Sequence, residues 1–111
     1  MQELEARAKK ANRHPAIRIV QTTAYVRDAA VAEYVRRHAS GVCDLCQTPA
    51  PFRNRKKEPY LECHHVVWLA QGGEDTITNT VALCPNCHRK MHVVNDEVDK
   101  EKLKQQAANR N

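Results

Sequence analysis

The sequence has few aromatic residues and no long apolar segment. Only 5% of its 111 residues are aromatic, with one Phe and one Trp, while 28% are charged and the mean hydropathy is -0.71. A compact protein of this mass exposes roughly 6,200 Å², against about 18,400 Å² for the open chain, so its core is thin. We therefore expect the fold to need a source of stability besides hydrophobic burial.

The scarcity of apolar runs also excludes a membrane span. The longest run covers residues 66–70, whereas crossing a bilayer takes about 18. Residues 1–5 contain two acids and no apolar stretch of the kind that a signal peptide has. We therefore expect a soluble, cytoplasmic protein. Thiols in a reducing compartment are more often metal ligands than disulfides.

Positive charge is in excess and is unevenly distributed. The formal net charge is +5, and residues 1–40 carry eight Lys and Arg against four acids. The densest basic cluster consists of Arg53, Arg55, Lys56 and Lys57. Such a cluster is typical of proteins that bind a polyanion, but an ordinary solvated surface can contain the same number of Lys and Arg residues.

Three parts can be separated along the chain. Residues 1–24 form a polar extension or linker stub, residues 25–95 form the domain, and residues 96–111 form a charged tail that is either a helical extension or disordered. The pattern in the domain predicts an α+β fold with the order helix, strand, loop, strand, helix. The predicted elements are an amphipathic helix over 28–39 capped by Asp28 and ended near Gly41, strands over 60–67 and 80–83, a turn over 71–75, and a helix from Pro85 to His92 or beyond.

Four of the five cysteines form two C-x-x-C pairs. Cys43 and Cys46 are separated by 37 residues from Cys84 and Cys87. Four thiolates complete a tetrahedral zinc shell with no open position, which describes a structural site. A redox dithiol and accidentally buried thiols are the alternatives. The fifth cysteine, Cys63, is interpreted as core packing.

Two histidine pairs lie close to the cysteines. His88 and His92 are four residues apart on a predicted helix and therefore share one face. The spacing argues against a finger of two cysteines and two histidines, because Cys87 and His88 are adjacent, whereas such a finger needs about twelve residues between its pairs. His64 and His65 would face opposite sides of a regular strand, so both reach one site only where the strand ends or bulges.

Four imidazoles in one place suit hydrolysis of a phosphodiester. Three imidazoles on one divalent ion, with other positions left to water, describe an open catalytic site. The fourth imidazole is then free to act as a base near neutral pH. A helical His pair by itself is often a surface accident.

The residues over 61–92 resemble the HNH endonuclease motif of the ββα-metal, or His-Me finger, nucleases. The segments on which this resemblance rests are Leu61 to Val67, Gly72 to Thr76 with Asn79, and Val81 to His92. The spacing also resembles that of the colicin nucleases. The preceding segment 42–52 is similar to the HNH domain of McrA-like restriction endonucleases, which cut DNA that bears modified cytosine.

The resemblance implies a role for each site residue. His64, His88 and His92 would hold the catalytic divalent ion, which is Zn²⁺, Mg²⁺, Mn²⁺, Co²⁺ or Ni²⁺. His65 would be the general base, Asn79 would brace its loop, and Glu62 would orient a ligand or the base. The four cysteines of the C-x-x-C pairs would hold a structural zinc that fixes the start of the last helix. Contacts to DNA phosphates would come from Arg53, Arg55, Lys56, Lys57, Arg89 and Lys90.

The expected function is that of a metal-dependent HNH endonuclease that hydrolyses double-stranded DNA with one metal ion. The chain is too short for the separate base-reading domain of McrA-like enzymes, so we expect either the nuclease portion of a longer modified-DNA restriction enzyme or a stand-alone nuclease with little sequence preference. Its partners would be a fused base-reading domain or a second copy. Trp68 stands where many relatives have proline, and packing or base stacking would explain it. A zinc-stapled DNA-binding module without catalysis is the alternative, and a Cys-based redox protein is a third.

Overall fold

A computed structural model describes residues 1–11, 14–21 and 24–110 of the chain. Residues 12, 13, 22 and 23 of the predicted extension, and residue 111 of the predicted tail, lie outside the described residues. Along the described chain the elements are α1 (Gln2–Lys9), α2 (Ala29–Ala39), β1 (Glu62–His65), a 3-10 turn (Leu69–Gln71), β2 (Thr80–Leu83), α3 (Pro85–Val93) and α4 (Glu97–Ala108). The predicted α+β class and the predicted order from α2 to α3 are confirmed.

Helix α2 begins and ends with local capping. The Asp28 carboxylate accepts a hydrogen bond from the Ala30 backbone N–H at 2.8 Å, as an N-cap residue should. The C-cap is Ser40 in the left-handed conformation, and the predicted stop, Gly41, follows with a φ of 81°. Val35 is fully buried, whereas Tyr34 is 43% exposed. The buried face of α2 is therefore narrower than the apolar spacing predicts.

The two strands form an antiparallel hairpin with a long connection. Glu62 pairs with Leu83 and His65 pairs with Thr80. Strand β1 is shorter than the predicted 60–67 at both ends, since it begins at Glu62 and ends at His65. Beyond its end, the Val66 and Val67 N–H groups donate to Asn79. That end is the strand termination that the sequence requires for His64 and His65 to serve one site.

Helix α3 starts directly from the end of β2. Pro85 occupies the first turn, where its missing N–H costs nothing. The Cys84 side chain accepts from the Cys87 backbone N–H at 3.4 Å, and the Cys84 carbonyl accepts from His88 N–H at 2.9 Å. A cysteine therefore serves as the cap of the helix that carries His88 and His92.

The C-terminal residues pack against the core. Leu103 and Ala107 of α4 are fully buried together with Leu83 and Met91. Of the two forms predicted for the charged C-terminal segment, helical or disordered, residues 97–108 adopt the helical one. The buried face of α4 is limited to Leu103 and Ala107, because most other residues of the helix are polar or charged.

The core also contains a buried ion pair that the sequence does not indicate. Arg110 is 3% exposed, and its Nη2 lies 2.7 Å from Asp44 Oδ2. The guanidinium also donates to the carbonyl oxygens of Thr80 and Ile77. Asp44 Oδ2 accepts from the Ala82 N–H at 2.8 Å, so the pair joins α4 to β2 and to the first C-x-x-C segment.

The N-terminal region contributes little to the core. No residue of α1 is buried. Within residues 14–21 and 24–28, Ile17, Ile19 and Val26 are each more than 90% exposed. The accessible surface of 8828 Å² accordingly exceeds the roughly 6,200 Å² expected of a compact chain of this mass. In the part of the chain that is described, no helix has the length and apolar content needed to cross a membrane.

Replacing Arg110 by Ala should destabilise the fold, because it leaves the Asp44 carboxylate buried without its cation. Breaking a buried pair costs about 3–5 kcal/mol, which corresponds to a fall in Tm of about 10 °C or more for a domain of this size. Thermal unfolding followed by circular dichroism measures it. Lys104→Ala, on the exposed face of α4, is the control and should melt as the wild type does. Equal melting temperatures for both variants would contradict the role given to Arg110.

Candidate metal centres and nuclease site

The two C-x-x-C pairs meet at one point. One ligand atom from each of Cys43, Cys46, Cys84 and Cys87 lies within 4.8 Å of all the others. Cys43 and Cys84 are buried, and Cys46 is exposed. The first pair sits in the turn after α2, and the second joins β2 to α3. This separation in sequence and closeness in space fit a tetrahedral zinc site.

The surroundings of the thiols also suit a cation. Burial raises the pKa of Cys43 and of Cys87, which disfavours their thiolates. The Thr48 hydroxyl, 2.8 Å from the Cys46 sulfur, lowers the pKa of Cys46 to about 6. A bound divalent cation stabilises thiolates and offsets the burial that opposes them.

Three imidazoles, one from β1 and two from α3, form a second cluster. His64, His88 and His92 each offer a ring nitrogen, and the three nitrogens lie within 4.8 Å of one another. The two helical rings face each other, with His92 Nε2 3.1 Å from His88 Nε2. His64 is brought to them from β1 and is 2% exposed. The spacing fits three ligands of a single ion.

The protonation of these rings suits metal binding. Burial, with smaller contributions from the charges of the neighbouring imidazoles, lowers the pKa of His64 to about 4. Burial also lowers the pKa of His92. Neutral imidazole is the form that binds metals. His64 Nε2 is buried without a hydrogen-bond partner among the described residues, as expected of an atom whose partner is an ion.

Glu62 supports the cluster from the side. Its Oε1 lies 2.8 Å from His88 Nδ1, and the Tyr60 hydroxyl donates to its Oε2 at 2.8 Å. The hydrogen bond with His88 is the main reason that the pKa of Glu62 is lowered, so the carboxylate is ionised and accepts the Nδ1–H. His88 is thereby left with Nε2 directed to the cluster. Such outer partners orient metal-binding histidines.

His65, the predicted base, lies beside the cluster but has a different partner. Its Nε2 is 2.8 Å from Asp75 Oδ1, and its side chain is 10% exposed. His65 lines a cavity of about 280 Å³ that is also lined by the three clustered histidines. The structure therefore brings together all four histidines that the sequence singled out for the site.

Asn79 braces the loop that follows β1. Its side-chain carbonyl accepts from Val67 N–H at 2.9 Å, and its amide donates to the carbonyls of Val67 and Glu74 at 3.0 and 2.7 Å. Its backbone carbonyl accepts from Val66 N–H at 2.8 Å. These bonds tie the end of β1 to the loop before β2.

Trp68 packs against the cluster. Its ring stacks on His92 with a centroid distance of 5.2 Å and an interplanar angle of 28°. Between packing and base stacking, the two explanations offered for Trp68, these contacts agree with packing.

The predicted DNA-contacting residues occupy different places. Arg55 and Lys56 line a cleft of about 900 Å³ together with Arg36 and Arg37 of α2. Two acids, Glu33 and Glu58, line the same cleft. The Arg53 guanidinium donates a hydrogen bond to the Lys57 backbone carbonyl at 2.8 Å. Lys90 forms an ion pair with Asp99 at 2.8 Å, and Arg89 is exposed.

Sequence reasoning missed several residues of this region. Asp75 and Tyr60 were not assigned roles, although both lie in or beside the recognised motif. Tyr25 and Arg27, which precede α2, line the histidine cavity. No local pattern connects these positions to the site. The glycines before Asp75 signal a turn, but they do not indicate which side chain returns to His65.

Comparison with known proteins agrees with this geometry. The model of the family described as HNH endonuclease matches residues 43–93. The chain is 50% identical over 68 residues to the type IV methyl-directed restriction enzyme EcoKMcrA of Escherichia coli (strain K12). That match covers 61% of this chain and 24% of the relative.

Two solved structures are also similar. The type IV phosphorothioation-dependent restriction endonuclease ScoMcrA matches with a TM-score of 0.65 and 31% identity, over 76% of this chain and 17% of its own. The modification-dependent TagI restriction endonuclease matches with a TM-score of 0.53 and 28% identity, over 62% of this chain and 24% of its own. The chain thus spans about a quarter or less of each relative. Both the cysteine cluster and the histidine cluster lie within residues 43–93, the part of the chain that matches the HNH endonuclease family, and this part is similar to the corresponding portion of McrA-like restriction endonucleases.

Proposed function

We propose that this chain is a metal-dependent DNA endonuclease that hydrolyses phosphodiester bonds. The observation that carries the proposal is the cavity where His65 lies beside the cluster of His64, His88 and His92. A module that only binds DNA needs no fourth imidazole beside three clustered ones. The family match supports the same reaction class.

The clustered histidines are proposed to hold one divalent ion. His64 is fixed by β1, while His88 and His92 project from one face of α3, so the three donors are set by rigid elements before any ion binds. A divalent ion in this place would neutralise negative charge at the phosphate and at the leaving oxygen. Imidazole ligands favour Zn²⁺, while Mg²⁺, Mn²⁺, Co²⁺ and Ni²⁺ are also compatible with a site open to water.

His65 is proposed to be the general base. Its ring lines the cavity, is not part of the ligand cluster, and accepts the proton of the attacking water. Asn79 holds the loop beside it, and Glu62 fixes the ring of the ligand His88. Each of these side chains acts by keeping an imidazole in place, which is what a precise attack on phosphorus requires.

The cysteine cluster is proposed to hold a structural zinc. All four thiolates would be used, so no position remains for substrate. Because Cys84 caps α3 and Cys87 precedes His88, this zinc would fix the first turn of the ligand helix. It would also supply the stability that a thin core lacks.

The proposed substrate is double-stranded DNA. The relatives carry names that describe methyl-directed, phosphorothioation-dependent and modification-dependent restriction. This chain spans only part of each of them, so preference for a modified base would come from a fused base-reading domain. Cutting both strands would need two chains or two successive events.

Replacing His65 by Ala should lower the rate of DNA cleavage on the order of 10²- to 10⁴-fold, because the reaction loses its base. Nicking of supercoiled plasmid, with Zn²⁺, Mg²⁺, Mn²⁺, Co²⁺ and Ni²⁺ tested in turn, measures the rate. His38→Ala changes an exposed ring on α2 and is the matched control. DNA binding should be unchanged in both variants. Undiminished cleavage by His65→Ala would rule out this base, and binding without cleavage by the wild type would favour the non-catalytic module.

Replacing Cys43 by Ser should release zinc and abolish cooperative unfolding. A structural zinc contributes about 10 kcal/mol or more in small zinc domains, as much as the roughly 5–15 kcal/mol by which a whole domain is stable. Zinc content by mass spectrometry and thermal melting are the measurements. Cys63→Ser, outside the cluster, should keep both the zinc and the melting transition. An unchanged melt for Cys43→Ser would contradict a structural zinc.

Replacing both Arg55 and Lys56 by Ala should weaken DNA binding and should make the binding constant less dependent on salt concentration. Each phosphate contact contributes about 0.9 to the slope of log K against log salt, so the slope should fall by about 1.8. Fluorescence anisotropy with a labelled duplex at several salt concentrations gives the slope. The double variant Lys10→Ala with Lys104→Ala removes the same charge elsewhere and should leave the slope unchanged. Equal slopes for both double variants would exclude this cleft as a phosphate contact.

A further inference from the structure

Both carboxylate oxygens of Asp75 are used, and they point to two different parts of the molecule. Oδ1 lies 2.8 Å from His65 Nε2, while Oδ2 accepts from the Asp28 backbone N–H at 2.7 Å. Asp75 is half-buried, with 22% of its side chain exposed. One carboxylate therefore connects the loop between the strands to the ring of His65 and to the start of α2.

We propose that Asp75 is a positioning residue for His65: it accepts the Nε2–H of the imidazole, so that Nδ1 is the nitrogen that takes the proton from water. The proposal rests on the function proposed above for His65. A carboxylate has no proton to donate and can only accept, so the neutral ring beside it must carry its hydrogen on Nε2. The tautomer of a catalytic histidine is commonly set in this way by the partner of its other nitrogen.

The ionised form of Asp75 is favoured by its own contacts. The hydrogen bond to His65, followed by the backbone N–H of Asp28, holds the pKa of Asp75 below its ordinary value. Arg27 adds a smaller contribution of the same sign. The acceptor role of the carboxylate is therefore the one that its environment supports.

The loop that carries Asp75 is held in place. At Gly73 an added Cβ would lie 1.8 Å from the Val67 carbonyl oxygen, so the backbone there passes too close for any other residue. The Gly73 N–H donates to the Trp68 carbonyl at 3.0 Å. The Asn79 side chain bonds the Glu74 carbonyl, next to Asp75. A residue that orients another must itself be fixed, and these contacts meet that requirement.

A purely structural role is the competing explanation, because Asp75 also ties down the start of α2. Asp75→Asn distinguishes the two. The amide keeps the size of the side chain, but when its NH₂ faces His65 it donates to Nε2 and favours the other tautomer. Asp28→Ala is the control, since it removes the side-chain cap of α2 and leaves the Asp75 carboxylate and His65 untouched.

The test compares wild type, Asp75→Asn, Asp28→Ala and His65→Ala, all loaded with zinc, in plasmid nicking and in ¹H–¹⁵N spectra of the imidazole nitrogens. We expect Asp75→Asn to lower kcat on the order of 10²- to 10⁴-fold, with KM within about twofold of wild type. The hydrogen of His65 should move from Nε2 to Nδ1 in this variant. Asp28→Ala should lower the melting temperature but keep kcat and the tautomer.

Two results would overturn the proposal. One is a wild-type kcat for Asp75→Asn beside an inactive His65→Ala. The other is a wild-type spectrum in which neutral His65 carries its hydrogen on Nδ1. If His65→Ala cleaves as well as wild type, the general base proposed for the reaction is wrong, and the spectra alone then decide whether Asp75 sets the tautomer.

Discussion

The start of helix α3 is the constraint on which both clusters depend. Cys84 follows β2, caps α3 and belongs to the cysteine cluster, while Cys87 precedes the first helical histidine. The direction in which His88 and His92 project is therefore fixed by the same residues that would bind zinc. This coupling would give a chain with a thin core a rigid place for the proposed reactive site, because the proposed metal ligands and the helix cap share one short segment.

A layer of polar side chains surrounds the imidazoles and fixes their orientation. Glu62 holds His88, Asp75 lies against His65, and Asn79 ties together the loops beside them. Each of the three is itself held by further hydrogen bonds from Tyr60, Asp28 or the backbone. The rings are thus oriented by the protein alone, which would reduce the entropy lost in reaching a productive geometry with the proposed metal and DNA.

Outside the site, the fold depends on contacts that a sequence pattern does not show. Helix α4 has a short apolar face, yet Leu103 and Ala107 are fully buried and Arg110 forms a buried ion pair with Asp44. A charged segment such as this one is compatible with a disordered tail or a packed helix. Whether the segment packs as a helix depends on the surface of β2 and on the buried Asp44 carboxylate, and only the folded chain presents these.

The sequence by itself determined the features whose geometry is local. The C-x-x-C spacing predicted the cysteine cluster, and the i, i+4 spacing predicted that His88 and His92 share one face, whereas the assignment of His64 to their cluster came from the resemblance to the HNH motif. The Asp28 cap and the helical spacing predicted α2, and the apolar alternation predicted the two strands. Only the tertiary structure decided which carboxylate meets which imidazole, because Glu62 and His88 are 26 residues apart and Asp44 and Arg110 are 66 apart. Such pairings depend on how the loops return to the core. Neither propensity nor periodicity encodes that path.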